Sequence, residues 1–330
     1  MTDKMAAPRV IPFSEATAIQ RLDSHTYAAN LVDTFCIGTV PNGGYVASCI
    51  LQAASMHLTP RDQQGVLTSH FEYIGRTEVG PAVIIIEDVK LGRQLSTIHA
   101  TLYQHALLPS APWITPASTR KNIVAYLTMT NLQNERGISL PTAFALHPRP
   151  PPVDHVALAT DSDPNWAAVK FTPGHAFGYI RCLQNAEYFT PRQGQPDKSV
   201  IDLWVRLASG EPFSNASLGY VVDCWPYVVE AYRPLAPGAR DEPFAYDAVF
   251  WYPTIVLNLE TKKALPEQGA QWLQLRVLSK QIRNGRLDLE VSVLDEEGEL
   301  VALSHHVDLI LGSERNTSGR KGKGKKASRI

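Results

Sequence analysis

Pro212 to Val229 reads PFSNASLGYVVDCWPYVV, an apolar run that contains a single carboxylate, Asp223. Helical spacing puts Leu218, Val221 and Val222 on or near one buried face and predicts a helix over 213–224. A carboxylate in such a segment is expensive to bury without hydrogen-bond or charge partners. Asn42 to Leu58, NGGYVASCILQAASMHL, is an equivalent apolar segment with no acid, and predicts a second helix over 43–58. Two similar helices, one of them with a carboxylate, predict a duplicated fold with one working site.

Strands surround both helices. In the first half, Tyr27 to Cys36, Val66 to Tyr73, Ala82 to Leu91, Ser96 to Gln104 and Asn122 to Thr130 alternate or are rich in Val, Ile, Thr and Tyr. In the second, Phe171 to Tyr188, Ser199 to Arg206, Ala248 to Glu260, Gln271 to Ile282, Leu287 to Leu294 and Leu300 to Leu311 do the same. Asn284-Gly285 and Glu297-Gly298 are hairpin turns between the last three. Each half therefore runs strand, helix, meander. This predicts an α+β fold in which each helix packs on an antiparallel sheet. Leu140 to Asp154 contains five prolines and divides the halves, because proline lacks a backbone donor and fixes φ. The expected organisation is an N-terminal extension over 1–24, a first domain over 25–133, a Pro-rich linker over 134–168, a second domain over 169–312 and a basic tail over 313–330.

Composition narrows the function. The chain has 330 residues, 44% hydrophobic and 19% charged, and reads as soluble and globular. From Arg315 onward there are seven basic residues and no acid; removing them from the net charge of −1 leaves −8 for residues 1–314. An acidic body argues against nucleic-acid binding. No apolar stretch approaches the roughly 20 residues of a membrane span. The start, MTDKMAAPRVIPFSEAT, lacks the pattern of a secretory signal. Cys36, Cys49, Cys182 and Cys224 show no paired spacing and are expected to be reduced thiols inside the cell. The histidines lack a metal-site spacing, and GxGxxG, P-loop, HExxH and GxSxG motifs are missing. Neither a cofactor nor a metal is expected.

The segments PNGGYVASCILQAA, HFEYIGRTEVGPAVIIIEDVKLGRQLSTIHATLYQ, YVVDCWP, YPTIVLNLE and GELVALSHHVDLIL together resemble acyl-CoA thioesterases of the double-hotdog type. That group includes the thioesterase II family and the thioesterase-like proteins of fungi and actinobacteria. The resemblance runs from about Leu31 to Leu311. It implies a tandem hotdog, each half a long helix wrapped by a curved antiparallel sheet, with the two sheets paired into one surface. It also implies homo-oligomers in many members and an acyl-CoA or other acyl-thioester substrate. In the family an Asp, a Thr and a Gln of the second half orient the water that attacks the thioester. Asp223 in YVVDCWP matches the Asp, and Thr254 in YPTIV matches the Thr. The Gln position falls on His306 in LVALSHHVDL, a departure, since His titrates where Gln does not. Three roles stay open for His306: orienting the water, joining Asp223 as a base, or marking altered chemistry.

The residues carry their own chemical logic. Thioester hydrolysis needs a held water, a base and donors for the developing oxyanion. Asp223 in an apolar wall is a candidate base, and equally a candidate helix-ending acid. Gly43 and Gly44 allow close backbone approach at the start of the first helix, so Gly44 N–H is a candidate oxyanion donor. Asn42 is expected to cap that helix, Gln104 to be structural, and Cys224 to be a plain buried thiol. His305 and His306 lie on opposite faces of a strand, so only one points inward.

The leading function is hydrolysis of an acyl-CoA or other acyl thioester in lipid metabolism. The alternatives are a pathway hotdog protein that acts as dehydratase, cyclase or hydrolase on a carrier-bound chain, and a non-catalytic acyl-binding protein. The closing Ser328-Arg329-Ile330 is similar to the peroxisomal address Ser-Lys-Leu, and sets the peroxisome as the expected location with the cytoplasm as alternative.

Overall fold

The computed structural model describes residues 10–171, 179–238 and 243–317. The basic tail beyond them and its Ser328-Arg329-Ile330 lie outside the described residues. The first half forms strands β1 (Ile19–Arg21), β2 (Thr26–Leu31), β3 (Gly65–Tyr73), β4 (Gly80–Leu91), β5 (Ser96–Gln104) and β6 (Arg120–Thr130). Helix α1 (Gly43–Leu58) lies between β2 and β3. The second half forms β7 (Trp166–Ala168), β8 (Ala186–Pro191), β9 (Val200–Leu207), helix α2 (Leu218–Asp223) and β10 (Thr254–Thr261). It ends with β11 (Leu273–Leu278), β12 (Ile282–Arg283), β13 (Arg286–Leu294) and β14 (Leu300–Leu309).

These strands make one antiparallel sheet in the order β1-β2-β4-β5-β6-β3-β10-β14-β13-β11-β9-β8-β7, with β12 paired to β13. The order β2-β4-β5-β6-β3 is repeated in reverse as β10-β14-β13-β11-β9, so the halves are related by a pseudo-two-fold between β3 and β10. There Phe71 pairs with Leu257 and His70 with Asn258. Phe71 and Leu257 are fully buried, so the seam belongs to the core. The fold is the tandem hotdog that the resemblance implies. At Asn284-Gly285 both φ angles are positive, 52° and 72°, as a two-residue hairpin turn requires.

The second helix differs from its expected form. It begins with a 3-10 turn at Asn215–Ser217, where the Ser214 N–H donates to Ser217 Oγ at 3.0 Å, and only Leu218–Asp223 is α-helical. Every residue from Leu218 to Asp223 is buried, not one face only. The reason is location, because α2 is packed between α1 and the sheet.

The strand expected over 171–188 also differs. Residues 172–178 lie outside the description, Ile180 makes an isolated bridge to Ile37, Arg181–Asn185 is a 3-10 turn, and regular sheet pairing starts at Ala186. That turn docks on the first half instead. Arg181 Nε donates to Asp33 O at 2.9 Å, and Asn185 Nδ2 donates to Thr34 O at 2.7 Å. The strand expected over 27–36 stops at Leu31 and gives way to a 3-10 turn at Asp33–Phe35. The strand expected over 248–260 is interrupted between Trp251 and Thr254, where Pro253 offers no donor. The flanking segments take part in the fold: β1 of the extension pairs with β2, and β7 of the linker pairs with β8. Trp166 of β7 joins Leu158, Phe189, Trp204 and Trp272 in a separate apolar cluster. Among the described residues no helix is long and apolar enough to cross a membrane.

Candidate active site

The site begins where the two helices cross. A Cβ on Gly44 would lie 2.4 Å from Gly219 O and 2.5 Å from Asp223 Cβ. A Cβ on Gly219 would lie 3.0 Å from Ser48 Oγ and 3.2 Å from Gly44 O. The contact is reciprocal, so Gly44 and Gly219 are counterparts. Four residues on from each lie Ser48 and Asp223, and Ser48 is therefore the first-half counterpart of the carboxylate. Its Oγ accepts from Tyr220 N at 2.9 Å, a structural bond that needs no charge. The duplicated fold has kept an acid on one helix only.

Asp223 is 4% exposed and is held by three donors. Gly44 N–H and Asn42 Nδ2 donate to Oδ2 at 2.6 and 3.0 Å, and Thr254 Oγ1 donates to Oδ1 at 3.0 Å. The carboxylate thus sits at the N-terminus of α1, where free N–H groups and the helix dipole favour negative charge. Burial nevertheless prevails over the three hydrogen bonds and pushes its pKa up to about 6. Asn42 serves twice, since its Oδ1 also caps α1 by accepting from Tyr45 N at 2.9 Å. Gly44 N–H, expected to face a substrate oxygen, is turned to Asp223 instead. Gly43, one residue earlier, lines the cavity, and its carbonyl accepts from Tyr73 OH at 2.9 Å.

His306 points inward and is fully buried, while His305 is exposed. Ser304 Oγ donates to Asn258 O at 2.6 Å and lies 2.8 Å from His306 Nε2. With the hydroxyl proton given to a carbonyl, Nε2 must be the donor to Ser304, which leaves a lone pair on Nδ1. Nδ1 is 3.7 Å from Asp223 Oδ1. Burial drives the His306 pKa down to about 3, so the imidazole is neutral.

One residue escaped the sequence reading. Asp308 is fully buried, lies opposite Thr254 in the β10–β14 register, and makes no well-formed hydrogen bond on either oxygen among the described residues, the Thr254 hydroxyl being its polar neighbour. Burial, and then the charge of Asp223, push its pKa well above the ordinary value and favour the neutral form. The signal was present in SHHVD: Ser304, His306 and Asp308 alternate along one strand, all on its inner face.

A cavity of about 110 Å³ opens against Asp223 and Thr254. Asn42, Gly43 and Tyr73 line it from the first half, and Trp251 and Tyr252 from the second. Arg76 also borders it, 5.7 Å over the Trp251 ring. His306 and Asp308 stand behind this wall rather than on it. Of the three residues aligned by resemblance, Asp223 and Thr254 reach the cavity, whereas His306 lies behind Asp223 and does not line it. Gln104 binds Glu78 N, Glu78 O and Pro81 O and is structural. It lies on β5, whereas the first-half counterpart of the His306 strand β14 is β6. Cys224 is a buried free thiol whose pKa is raised by burial and by Asp223.

Comparison with known proteins agrees with this architecture. The acyl-CoA thioesterase N-terminal domain matches residues 31–120, and the acyl-CoA thioesterase C-terminal domain matches residues 146–310. The thioesterase-like protein TwmA of Talaromyces wortmannii is 46% identical, over 95% of this chain and 96% of that protein. A hot dog fold protein of Alicyclobacillus acidocaldarius superposes with a TM-score of 0.67 at 17% identity, covering 90% of this chain and 97% of that one. The acyl-CoA thioesterase II TesB2 of Mycobacterium marinum superposes with a TM-score of 0.58 at 16% identity, covering 91% and 98%.

Proposed function

The chain belongs to the acyl-CoA thioesterase family, and we propose that it hydrolyses an acyl-CoA or other acyl thioester with a water activated by Asp223. The observation that carries this reading is the carboxylate itself: buried, held by Gly44, Asn42 and Thr254, and placed on a cavity wall with its pKa near 6. Such a group is a carboxylate at neutral pH and a stronger base than an exposed one.

In this mechanism Thr254 and Asp223 hold a water against the thioester carbonyl. Its proton passes to Asp223 Oδ1 as the oxygen bonds to the carbonyl carbon. The carbonyl oxygen takes the electron pair, and Gly43 N–H, at a helix position with no partner in its own helix, is the donor offered to it. The intermediate collapses, the C–S bond breaks, and the thiolate recovers the proton from Asp223. A free acid and a thiol leave. His306 backs the site from behind: its neutral imidazole, fixed by Ser304, turns an Nδ1 lone pair toward Asp223, which favours the carboxyl once it has taken the proton of the water. A dehydratase needs a histidine facing the substrate, and the burial of His306 argues against that alternative.

The test is a panel of acyl-CoA esters with a thiol-reactive dye and product mass. The reading requires release of thiol and free acid by the wild type and its loss in Asp223→Asn. A product lighter by one water, with the thioester intact, would favour elimination. Binding without turnover would favour the acyl-binding alternative.

A further inference from the structure

The far end of α1 from Asp223 holds a second cluster of chemistry-bearing side chains. His57 lies in the last turn of α1, His25 just before β2, and Asp88 on β4. His57 Nε2 is 2.9 Å from Asp88 Oδ1, and His25 Nε2 is 3.2 Å from Asp88 Oδ2. The three ligand atoms lie within 4.8 Å of one another. Three distant sequence positions thus aim two imidazole nitrogens at the two oxygens of one carboxylate.

Each ring is also held by its other nitrogen. Tyr27 OH is 3.0 Å from His57 Nδ1, and Ser24 Oγ is 2.8 Å from His25 Nδ1. The backbone around them is fixed. His25 N–H donates to Asp23 Oδ1 at 2.9 Å, and Ile86 N–H donates to His25 O at 2.8 Å. The β4–β5 register shifts between Asp88 and Lys90, the kind of irregularity that re-aims a side chain.

Hydroxyls both donate and accept. Each ring can therefore carry a proton on Nδ1, with Ser24 or Tyr27 as its partner, and present Nε2 as a ligand. Both Nε2 lone pairs and the two Asp88 oxygens then converge on one spot, where a cation can take the place of the Nε2 protons. Two imidazoles and one carboxylate suit a borderline divalent ion, and orienting partners on the remote ring nitrogens are the usual companions of such ligands. The His25 side chain is 46% exposed, which leaves a path for entry and room for a water as further ligand. We propose that His25, His57 and Asp88 form a binding site for a zinc-class divalent metal ion, with Tyr27 and Ser24 orienting the two imidazoles. The ion would tie the C-terminal end of α1 to β2 and β4, a structural role independent of the thioesterase reading.

The experiment uses the full chain without a polyhistidine tag, stripped with chelator and titrated with Zn²⁺ by calorimetry. Thermal melts and Co²⁺ visible absorption run alongside. One ion per chain, a higher melting temperature and low-symmetry Co²⁺ bands are expected. His25→Ala and Asp88→Asn should weaken binding by more than about tenfold, and Tyr27→Phe by about tenfold, the scale of outer-partner losses. Circular dichroism establishes that each variant is folded. The exposed His25 makes its variant the decisive one, since its removal leaves the core intact. Failure to bind one ion per chain, or equal binding by wild type, His25→Ala and Asp88→Asn, overturns the site.

Discussion

Gly44 and Asp223 are joined across the helix crossing by a 2.6 Å hydrogen bond from the Gly44 amide to Oδ2, at a spot where no Cβ fits. The same approach that lets α1 and α2 touch delivers the helix N-terminus to the carboxylate. Gly44→Ala should therefore lose on both counts. Overpacking at the crossing is expected to destabilise by about 1–3 kcal/mol. The displaced carboxylate should lower turnover by about 10–100-fold. Urea unfolding and acyl-CoA assays on the same preparation check the pair. A fully stable, fully active Gly44→Ala protein would show that the close approach is not needed.

Asp223→Ala removes the base and should lower turnover by about 10²–10⁴-fold. Thr254→Val should be milder, since it removes one donor to Asp223 and one hold on the water but leaves the base. Equal rates for wild type and Asp223→Ala would end the assignment.

The raised pKa of Asp223 has opposite effects on rate and on stability. As a base the group works when ionised, so kcat/KM should rise with pH and level off above about 6. For stability, the folded protein holds the Asp223 proton more tightly than the unfolded chain does. The resulting stabilisation is complete below the ordinary value of 3.8 and is lost as pH rises through about 6. The span corresponds to about 3 kcal/mol of stability surrendered at neutral pH. Asp223→Asn, neutral at every pH, should be more stable than wild type at pH 8, with the gap closing toward pH 4. Its amide can keep the contacts, because the Thr254 hydroxyl can reverse from donor to acceptor. Denaturant titrations at the two pH values decide this.

His306→Gln should retain activity within about tenfold, because a neutral, buried imidazole that only supports Asp223 can be replaced by a neutral amide. The pH–rate profile of this variant should overlay that of the wild type near neutrality, since His306 titrates at about 3. A dead variant, or a limb near pH 6–7 that vanishes with the substitution, would make His306 a base in its own right.

Burial favours the neutral form of Asp308, so Asp308→Asn should cost little stability at pH 7 and leave the thioesterase rate nearly unchanged. A large rate loss with an intact fold would bring Asp308 into proton transfer.

Most strands and the first helix were readable because they rest on local rules. Val66 to Tyr73, Ser96 to Gln104 and Leu287 to Leu294 alternate with the period of a pleated strand, and Asn42 and Gly43 sit where a helix start needs them. The lone acid of GYVVDCW announced itself for a similar reason, because an ionisable group in an apolar run is costly wherever the run packs. The ordered set of motifs carried the family and, with it, Thr254. Local rules were silent wherever partners come from far along the chain. The length of α2 was set by the space between α1 and the sheet, and the fate of the Gly44 amide by a carboxylate 179 residues away. Asp308 became a buried acid only when β10 and β14 placed it against Thr254. His25, His57 and Asp88 have no motif spacing, and only the packing of α1 on β2 and β4 brings them together. Periodicity and capping are properties of neighbours in sequence. Desolvation, close helix approach and ligand convergence are properties of neighbours in space, and those the tertiary structure alone decided.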